Sequence, residues 1–177
     1  CGIKVTDALF QQPAFDRAAE NAIPANEALH RSDRFVKAWL EYADPASGLI
    51  PRNLYGDIDI WNAKDAAADN YPFMVLTSFF TDQPLFQGKM REMLDAEMRL
   101  TSRVQSLPDT YSFSKQGFQK DEVFMPDVLF GATEYIKDGL LPLAEWLGRS
   151  AWFDRMMQML RDMDELVDVA DGFESGQ

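Results

Sequence analysis

Two aspartates stand four residues apart in the segment WNAKDAAADNYPF, which covers residues 61–73. If a helix already runs through this segment, Asp65 and Asp69 share one of its faces. Two carboxylates beside a cleft can act as acid and base, or as acid and nucleophile, in glycoside hydrolysis. Asp and Asn are also favoured at helix N-termini, where they bond free backbone N–H groups. The segment therefore predicts either a reactive pair or a helix cap formed by Asp69 and Asn70.

A second acidic group interrupts the mostly apolar segment DVLFGATEYIKDGLLPLAEWL, residues 127–147. Glu134 and Asp138 are again four residues apart, and Lys137 can pair with Glu134 at i, i+3. An internal ion pair or a partly exposed helix edge would account for these residues without any chemistry. A functional carboxylate is the alternative, and the sequence leaves both interpretations open.

Charge and composition exclude several classes of function. The chain has 177 residues, with 17 Lys and Arg against 29 Asp and Glu, so it is acidic with a net charge of −12. No stretch is basic enough to follow a phosphate backbone, and no nucleic-acid partner is expected. The apolar runs are far shorter than the roughly 20 residues that span a bilayer. A single histidine, a single cysteine and no phosphate-binding glycine loop predict neither a metal site nor a cofactor.

Cys1 at the first position is the residue that lipoprotein maturation leaves when a signal peptide is removed, and it is then acylated. Several acyl chains together anchor a protein firmly to a membrane. We therefore expect a membrane-anchored protein of the cell envelope, on the periplasmic or outer face, with lipid on Cys1. The alternative is that a cysteine at this position has no biological meaning.

Apolar periodicity predicts an all-α protein with five helices and almost no strands. Residues 1–26 show no sustained period and are interpreted as a tether with at most one short helix. A helical domain is expected over residues 27–170, followed by a tail over residues 171–177. The second and fourth helices should be the most buried, because the segment FMVLTSFF is apolar nearly all round. The first, third, fourth and fifth helices are expected over about residues 27–43, 85–104, 127–147 and 150–167. The second should start within residues 61–73 and end near Thr81, and Pro72 makes it either begin its regular part at Asn70 or kink there.

The connections between these helices alternate in length. Long links follow the first and third helices, and the short links DQP and GR follow the second and fourth. The long loops should then gather at one end of the molecule, at the N-termini of the buried helices. Loops of this length in a compact domain are usually functional or disordered.

This alternation resembles the α/α toroid, in which outer and inner helices alternate around a ring. Three segments look like sequences of six-hairpin glycosidases, such as unsaturated glucuronyl hydrolases. They are SGLIPRN, WNAKDAAADNYPFMVL and YIKDGLLPLAEWLGRSAWFDRMMQML. The resemblance covers about residues 27–167. The chain departs from the family because two and a half hairpins make a partial ring. In such a ring the inner helices point the same way, and their N-terminal halves line the mouth of a central cavity. The resemblance therefore implies that Asp65, Asp69, Tyr71 and at least one of Glu134 and Asp138 converge on one concavity at the long-loop end.

The resemblance implies a catalytic acid pair, taken from Asp65, Asp69 and Glu134. It also implies substrate contacts, by ring stacking or hydrogen bonding, from Trp61, Asn70, Tyr71 and Asp138. The expected function is a lipoprotein whose glycoside hydrolase-like domain binds or hydrolyses a glycan. The alternative is a non-enzymatic, lipid-anchored structural subunit that packs its half-ring of helices on a membrane-protein complex.

Overall fold

The computed structural model describes residues 12–166, and within this range the chain folds into five helices. They are α1 (Gln12–Leu40), α2 (Ala63–Asn70 and Tyr71–Thr81), α3 (Gln83–Leu85, Phe86–Met90 and Arg91–Thr101), α4 (Met125–Glu134, Tyr135–Leu140 and Leu141–Leu147) and α5 (Ala151–Leu166). The π-helical segments are Ala63–Asn70, Phe86–Met90 and Tyr135–Leu140. The predicted all-α class is confirmed. Cys1 and the predicted tail, residues 171–177, lie outside the described residues.

α1 begins at Gln12, well before the start predicted near Glu27. The prolines of the expected tether led to this error, because Pro24 lies inside the helix although a proline there removes a backbone hydrogen bond. Residues 13–31 are exposed along this helix. The C-terminal part of α1 packs against α2, and there Val36 is fully buried.

α2 and α4 run parallel and pack against each other through small residues. Near the start of both helices, a Cβ on Gly131 would lie 3.3 Å from the Cβ of Ala63. Further along, a Cβ on Gly139 would lie 2.9 Å from the carbonyl oxygen of Ala67. Because no side chain fits at that distance, a glycine at position 139 is what allows the two backbones to approach so closely.

α2 supplies much of the core, but one of its faces is exposed. Met74 and Val75 are fully buried, whereas Phe73 and Phe80 are 42% and 54% exposed. On α4, the exposed Trp146 packs edge-on against Phe80, with ring centroids 5.7 Å apart. α1 and α3 pack against α2, and α5 packs against α4. The prediction of a fully covered FMVLTSFF segment is therefore right for one face of α2 and wrong for the other.

The two long loops contain five short strands that the sequence did not predict. They are β1 (Ile60–Trp61), β2 (Ser102–Val104), β3 (Leu107–Pro108), β4 (Tyr111–Ser112) and β5 (Gly117–Phe118). β1, β4 and β5 form an antiparallel sheet that joins the first long loop to the second, and β2 pairs with β3. This pairing gives both loops a fixed place at the N-terminal ends of α2 and α4.

Asp59 strengthens the contact between the two long loops. Its carboxylate accepts hydrogen bonds from the Ser112 hydroxyl at 2.6 Å, the Ser114 backbone N–H at 2.7 Å and the Ser114 hydroxyl at 3.0 Å. The bond from Ser112 is the largest cause of a lowered pKa of Asp59. The loop contact is therefore strongest while this carboxylate is ionised.

A buried polar network joins α2, α3 and α5 in the core. Glu97 of α3 and Arg155 of α5 form a bidentate ion pair, with oxygen–nitrogen distances of 2.5 Å and 3.0 Å. Tyr71 of α2 donates its hydroxyl to the Met90 carbonyl at 2.6 Å and accepts a bond from Trp152 Nε1 at 2.9 Å. Two buried charges are tolerated only when their geometry and hydrogen bonding are as good as this.

Candidate functional site

α2 is capped by Asn62, which directly precedes its first residue. The side-chain oxygen of Asn62 accepts the backbone N–H groups of Asp65 and Ala66, both at 3.1 Å, and its Nδ2 donates to the Asp65 carboxylate at 2.6 Å. The helix therefore already runs through Asp69 and Asn70. The interpretation of these two residues as a helix cap is wrong.

The first part of α2 is π-helical. The backbone N–H of Ala67 donates to the Asn62 carbonyl five residues back, at 3.2 Å, and that of Tyr71 donates to Ala66. The facing segment Tyr135–Leu140 of α4 is π-helical as well. π-helical turns are rare and recur at functional sites. Both acidic groups of the sequence lie in or directly beside such turns.

α2 and α4 bring four carboxylates together, and we refer to Asp65, Asp69, Glu134 and Asp138 as the acidic cluster. Partial burial, followed by the negative charges of Asp65, Asp138 and Glu134, raises the pKa of Asp69. The other three side chains are thus close enough to act on Asp69. Residues that are 69 positions apart in the chain, such as Asp65 and Glu134, meet because α2 and α4 are parallel neighbours.

A lysine partly neutralises the α4 side of the acidic cluster. Lys137 Nζ lies 2.8 Å from a Glu134 oxygen and 3.2 Å from an Asp138 oxygen, so the predicted pairing of Lys137 with Glu134 is present. The hydrogen bonds to Glu134 and then Asp138 raise the pKa of Lys137. Asp69 has no hydrogen-bond or ion-pair partner within residues 12–166. The cluster is therefore asymmetric, because two of its carboxylates share a cation and Asp69 has none.

A cleft of about 60 Å³ opens one helical turn from the acidic cluster, at the long-loop end of α2 and α4. We refer to it as the loop-end cleft. Phe130, which is 56% exposed, lines it together with the exposed polar residues Lys64 and Asp127. Its other lining residues are Asn62, Ala63, Pro108, Asp109, Thr110 and Gly131. An exposed ring surrounded by polar groups can accept the apolar face of a sugar and hydrogen-bond its hydroxyls.

Asp127 and Phe130 line the loop-end cleft, and the sequence interpretation did not single them out. They stand seven and four residues before Glu134 on α4, so the three side chains share a helix face. This spacing is the sequence pattern that could have identified them. It was overlooked because Phe130 was counted as part of the apolar core-forming segment, which the structure leaves exposed at this position.

Trp61 and Tyr71 lie in the core and not at the site. They are 2% and 5% exposed, and the Tyr71 hydroxyl belongs to the buried polar network. Burial raises the pKa of Tyr71 far above its usual range. Their predicted stacking on sugar rings is therefore wrong, since neither ring presents a face to a ligand. Asn70 is half-buried beside Asp69, and its contact with a substrate stays a prediction.

Residues 12–166 contain no group of three or more His, Cys, Asp or Glu side chains arranged to hold a metal ion. In the same range, no helix combines the length and apolarity needed to cross a bilayer. Comparison of the chain with protein-family models, curated proteins and solved structures gives no match.

Proposed function

We propose that this chain is an envelope lipoprotein, anchored through Cys1, whose helical domain forms part of an α/α toroid and binds or hydrolyses a glycan. The observation that carries the proposal is the asymmetry of the acidic cluster, in which Asp69 has a raised pKa and no partner. The parallel course of α2 and α4, with both long loops at their N-terminal ends, supports the toroid arrangement.

The acidic cluster offers the two roles that glycoside hydrolysis requires. One carboxylic acid must keep its proton, and a second carboxylate must stay ionised. Asp69 suits the proton donor, because partial burial and then the neighbouring carboxylates raise its pKa. Asp65 and Glu134 are the candidates for the second role, and their carboxylates are held by Asn62 Nδ2 at 2.6 Å and by Lys137 Nζ at 2.8 Å.

The loop-end cleft supports a sugar as the ligand. Phe130 would stack on the apolar face of a sugar ring, while Lys64, Thr110 and Asp127 would bond its hydroxyl groups. The cleft is one helical turn from Glu134 along α4, so a sugar bound there would direct its neighbouring glycosidic bond toward the acidic cluster. This is the substrate arrangement that the proposal requires.

The enzymatic part of the proposal is tested with the full chain and a panel of glycans, by measuring the release of reducing ends. Asp69→Asn should abolish turnover and change the melting temperature little, because the Asp69 side chain makes no hydrogen bond. Asp164→Asn makes the same change at an exposed position of α5 and should leave turnover intact. Turnover that survives in Asp69→Asn removes Asp69 as the acid, and no binding to any glycan by the parent removes the glycan function.

A second candidate function is a non-enzymatic, lipid-anchored subunit of a membrane-protein complex. It is favoured by the exposed apolar surface of α2 and α4 away from the loop-end cleft, where Phe73, Phe80 and Trp146 lie. Contiguous exposed apolar surface is typical of protein contacts. For this function, Trp146→Ser should release the protein from detergent-solubilised envelope complexes without unfolding it. A parent protein that migrates alone in such extracts contradicts the subunit function.

Anchoring through Cys1 has its own test. Intact-mass measurement of native protein should give a mass above that of the sequence by the mass of the acyl groups. An unmodified Cys1 in native material rejects the lipoprotein assignment and leaves the glycan proposal standing.

A further inference from the structure

Four exposed aromatic side chains follow one another across α1, α2 and α4. We refer to Phe35, Phe73, Phe80 and Trp146 as the aromatic strip, and their exposed fractions run from 42% to 63%. Phe35 packs edge-on against Phe73, with ring centroids 5.3 Å apart. Phe80 packs in the same way against Trp146 at 5.7 Å. The half-buried Leu76 lies between the two pairs on the same face of α2. Exposed apolar surface as continuous as this is typical of a binding site.

Unpaired carboxylates lie at both ends of the aromatic strip. Asp69 is one turn before Phe73 on α2 and has no partner among residues 12–166. Glu145 is exposed next to Trp146 and has no ion-pair partner in the same range. Asp69 and Phe80 are separated by ~16 Å along α2, about three turns. The surface is therefore apolar in its middle and negatively charged at each end.

The backbone of the aromatic strip favours a helical ligand. The strip consists of side chains on three helices, whose N–H and C=O groups are bonded within those helices. It therefore offers no main-chain pairing to an extended segment, which would bury its own backbone groups without partners. A helix satisfies these groups internally and can lay an apolar face on the rings.

Charge distinguishes between the occupants that present an apolar surface. A second copy of the chain carries the same acidic groups and the same net charge of −12, so it supplies no counter-charge to Asp69 or Glu145. The anionic headgroups of a bilayer are repelled for the same reason. A helix with basic side chains pairs both carboxylates, and an Arg can in addition stack on an exposed ring.

We propose that the aromatic strip binds an amphipathic helix of another protein, which has an apolar face about three turns long and a Lys or Arg at each end of it. Such a helix is the contact through which the chain would join a complex. The proposal thus rests on the second candidate function and is independent of glycan turnover.

A labelled peptide of about 18 residues, five helical turns, tests the proposal against the full chain by fluorescence anisotropy. It carries Leu on one helical face and Lys on the other. Trp146→Ser should weaken its binding about tenfold, because an aromatic anchor of the interface is lost. Asp69→Asn should weaken it about threefold, and high salt should remove that difference. Leu160→Ser and Asp164→Asn change exposed positions of α5 outside the strip and should leave the affinity as it is in the parent.

Two control peptides separate the shape of the ligand from its charge. One has the same composition in an order without an apolar face, and the other has Glu in place of Lys. Binding of either peptide as tight as that of the Leu and Lys helix overturns the proposal, and so does equal weakening by the α5 variants.

The remaining outcomes identify a different occupant. Vesicles of anionic phospholipid that bind the parent but not Trp146→Ser would replace the helix by a membrane surface. If no peptide binds, yet the parent migrates with envelope complexes and Trp146→Ser does not, the helical ligand is overturned and the subunit function stands.

Discussion

Glu97 of α3 and Asp69 of α2 are carboxylates whose pKa values are both raised, with burial as the largest cause, yet they have opposite surroundings. Glu97 is 2% exposed and accepts hydrogen bonds from Arg155 and Thr101. Asp69 lies on the exposed face of α2, near three further carboxylates and without a partner among the described residues. The attraction of Arg155 offsets the free-energy cost of burying the Glu97 carboxylate. Asp69 has no such cation among the described residues.

Glu97 is therefore a buried carboxylate in an ion pair of the core, and Asp69 is a solvent-accessible carboxylate without a counter-charge among the described residues. A buried ion pair adds little net stability, because the cost of removing both charges from water offsets their attraction. Removing the partner of the carboxylate is nevertheless strongly destabilising. An unpaired carboxylate with a shifted pKa is typical of sites that bind or transfer protons. Variants that change one of the two regions at a time test this difference.

Arg155→Met should cause the largest loss of stability, about 3–5 kcal/mol, because it leaves the Glu97 carboxylate buried without a counter-charge. Urea unfolding measures the loss. The double variant Glu97→Leu with Arg155→Met removes both charges and should recover much of it. Equal losses in the single and double variants would show that packing, and not the uncompensated charge, controls stability at this point.

Gly139→Ala should lower stability by about 1–3 kcal/mol, because the new Cβ would lie 2.9 Å from the Ala67 carbonyl oxygen and push α4 away from α2. The same movement should return the pKa of Asp69 toward its ordinary value, which a ¹³C NMR titration would detect. Gly88→Ala in α3 is the matched control. No atom lies within 4 Å of its added Cβ, and helix propensity should raise stability by up to about 1 kcal/mol. A Gly139→Ala variant as stable as the control contradicts the close contact.

Asp69→Asn should raise stability slightly at neutral pH, by less than about 1 kcal/mol because the site is largely solvated. The folded-state pKa of Asp69 is raised above the ordinary value of 3.8, so the folded protein holds this proton more tightly than the unfolded chain does. The stabilisation that Asp69 contributes is complete below the unfolded pKa and is lost as the pH rises through the folded pKa. The gain in the variant should therefore vanish in acid. Melting temperatures of the variant and the parent across pH measure this gain, and a gain that persists in acid would contradict the raised pKa of Asp69.

Lys137→Met should have the smallest effect, a further modest rise in the pKa of Asp69. The substitution removes the cation that Glu134 and Asp138 share, so their negative charges act on Asp69 with less opposition. NMR titration of the Asp69 carboxyl carbon measures the change. Lys115→Met, in the second long loop, should leave that titration as it is in the parent. A lowered pKa of Asp69 in Lys137→Met would mean that the lysine does not screen the cluster.

The sequence alone determined the helical class and the approximate extent of most helices, because apolar periodicity is a local property of the chain. It also predicted that Asp65, Asp69, Tyr71 and at least one of Glu134 and Asp138 would meet at the long-loop end. Asp65, Glu134 and Asp138 do act on the pKa of Asp69, whereas Tyr71 lies in the core. The four-residue spacing of each acidic pair is a local property, but the parallel course of the second and fourth helices came only from the toroid resemblance. The early start of α1 was missed for the same local reason, since Pro24 in isolation indicates the end of a helix.

Which polar and aromatic residues are buried depends on tertiary contacts. Trp61 and Tyr71 turn into the core although they stand among polar residues, and Phe73 and Phe80 remain exposed although they stand among apolar ones. Glu97 finds its partner 58 residues along the chain, and β1 pairs with β4 across the two long loops. Burial and pairing depend on which helix faces and loop segments meet, and residue types within one segment do not specify that choice.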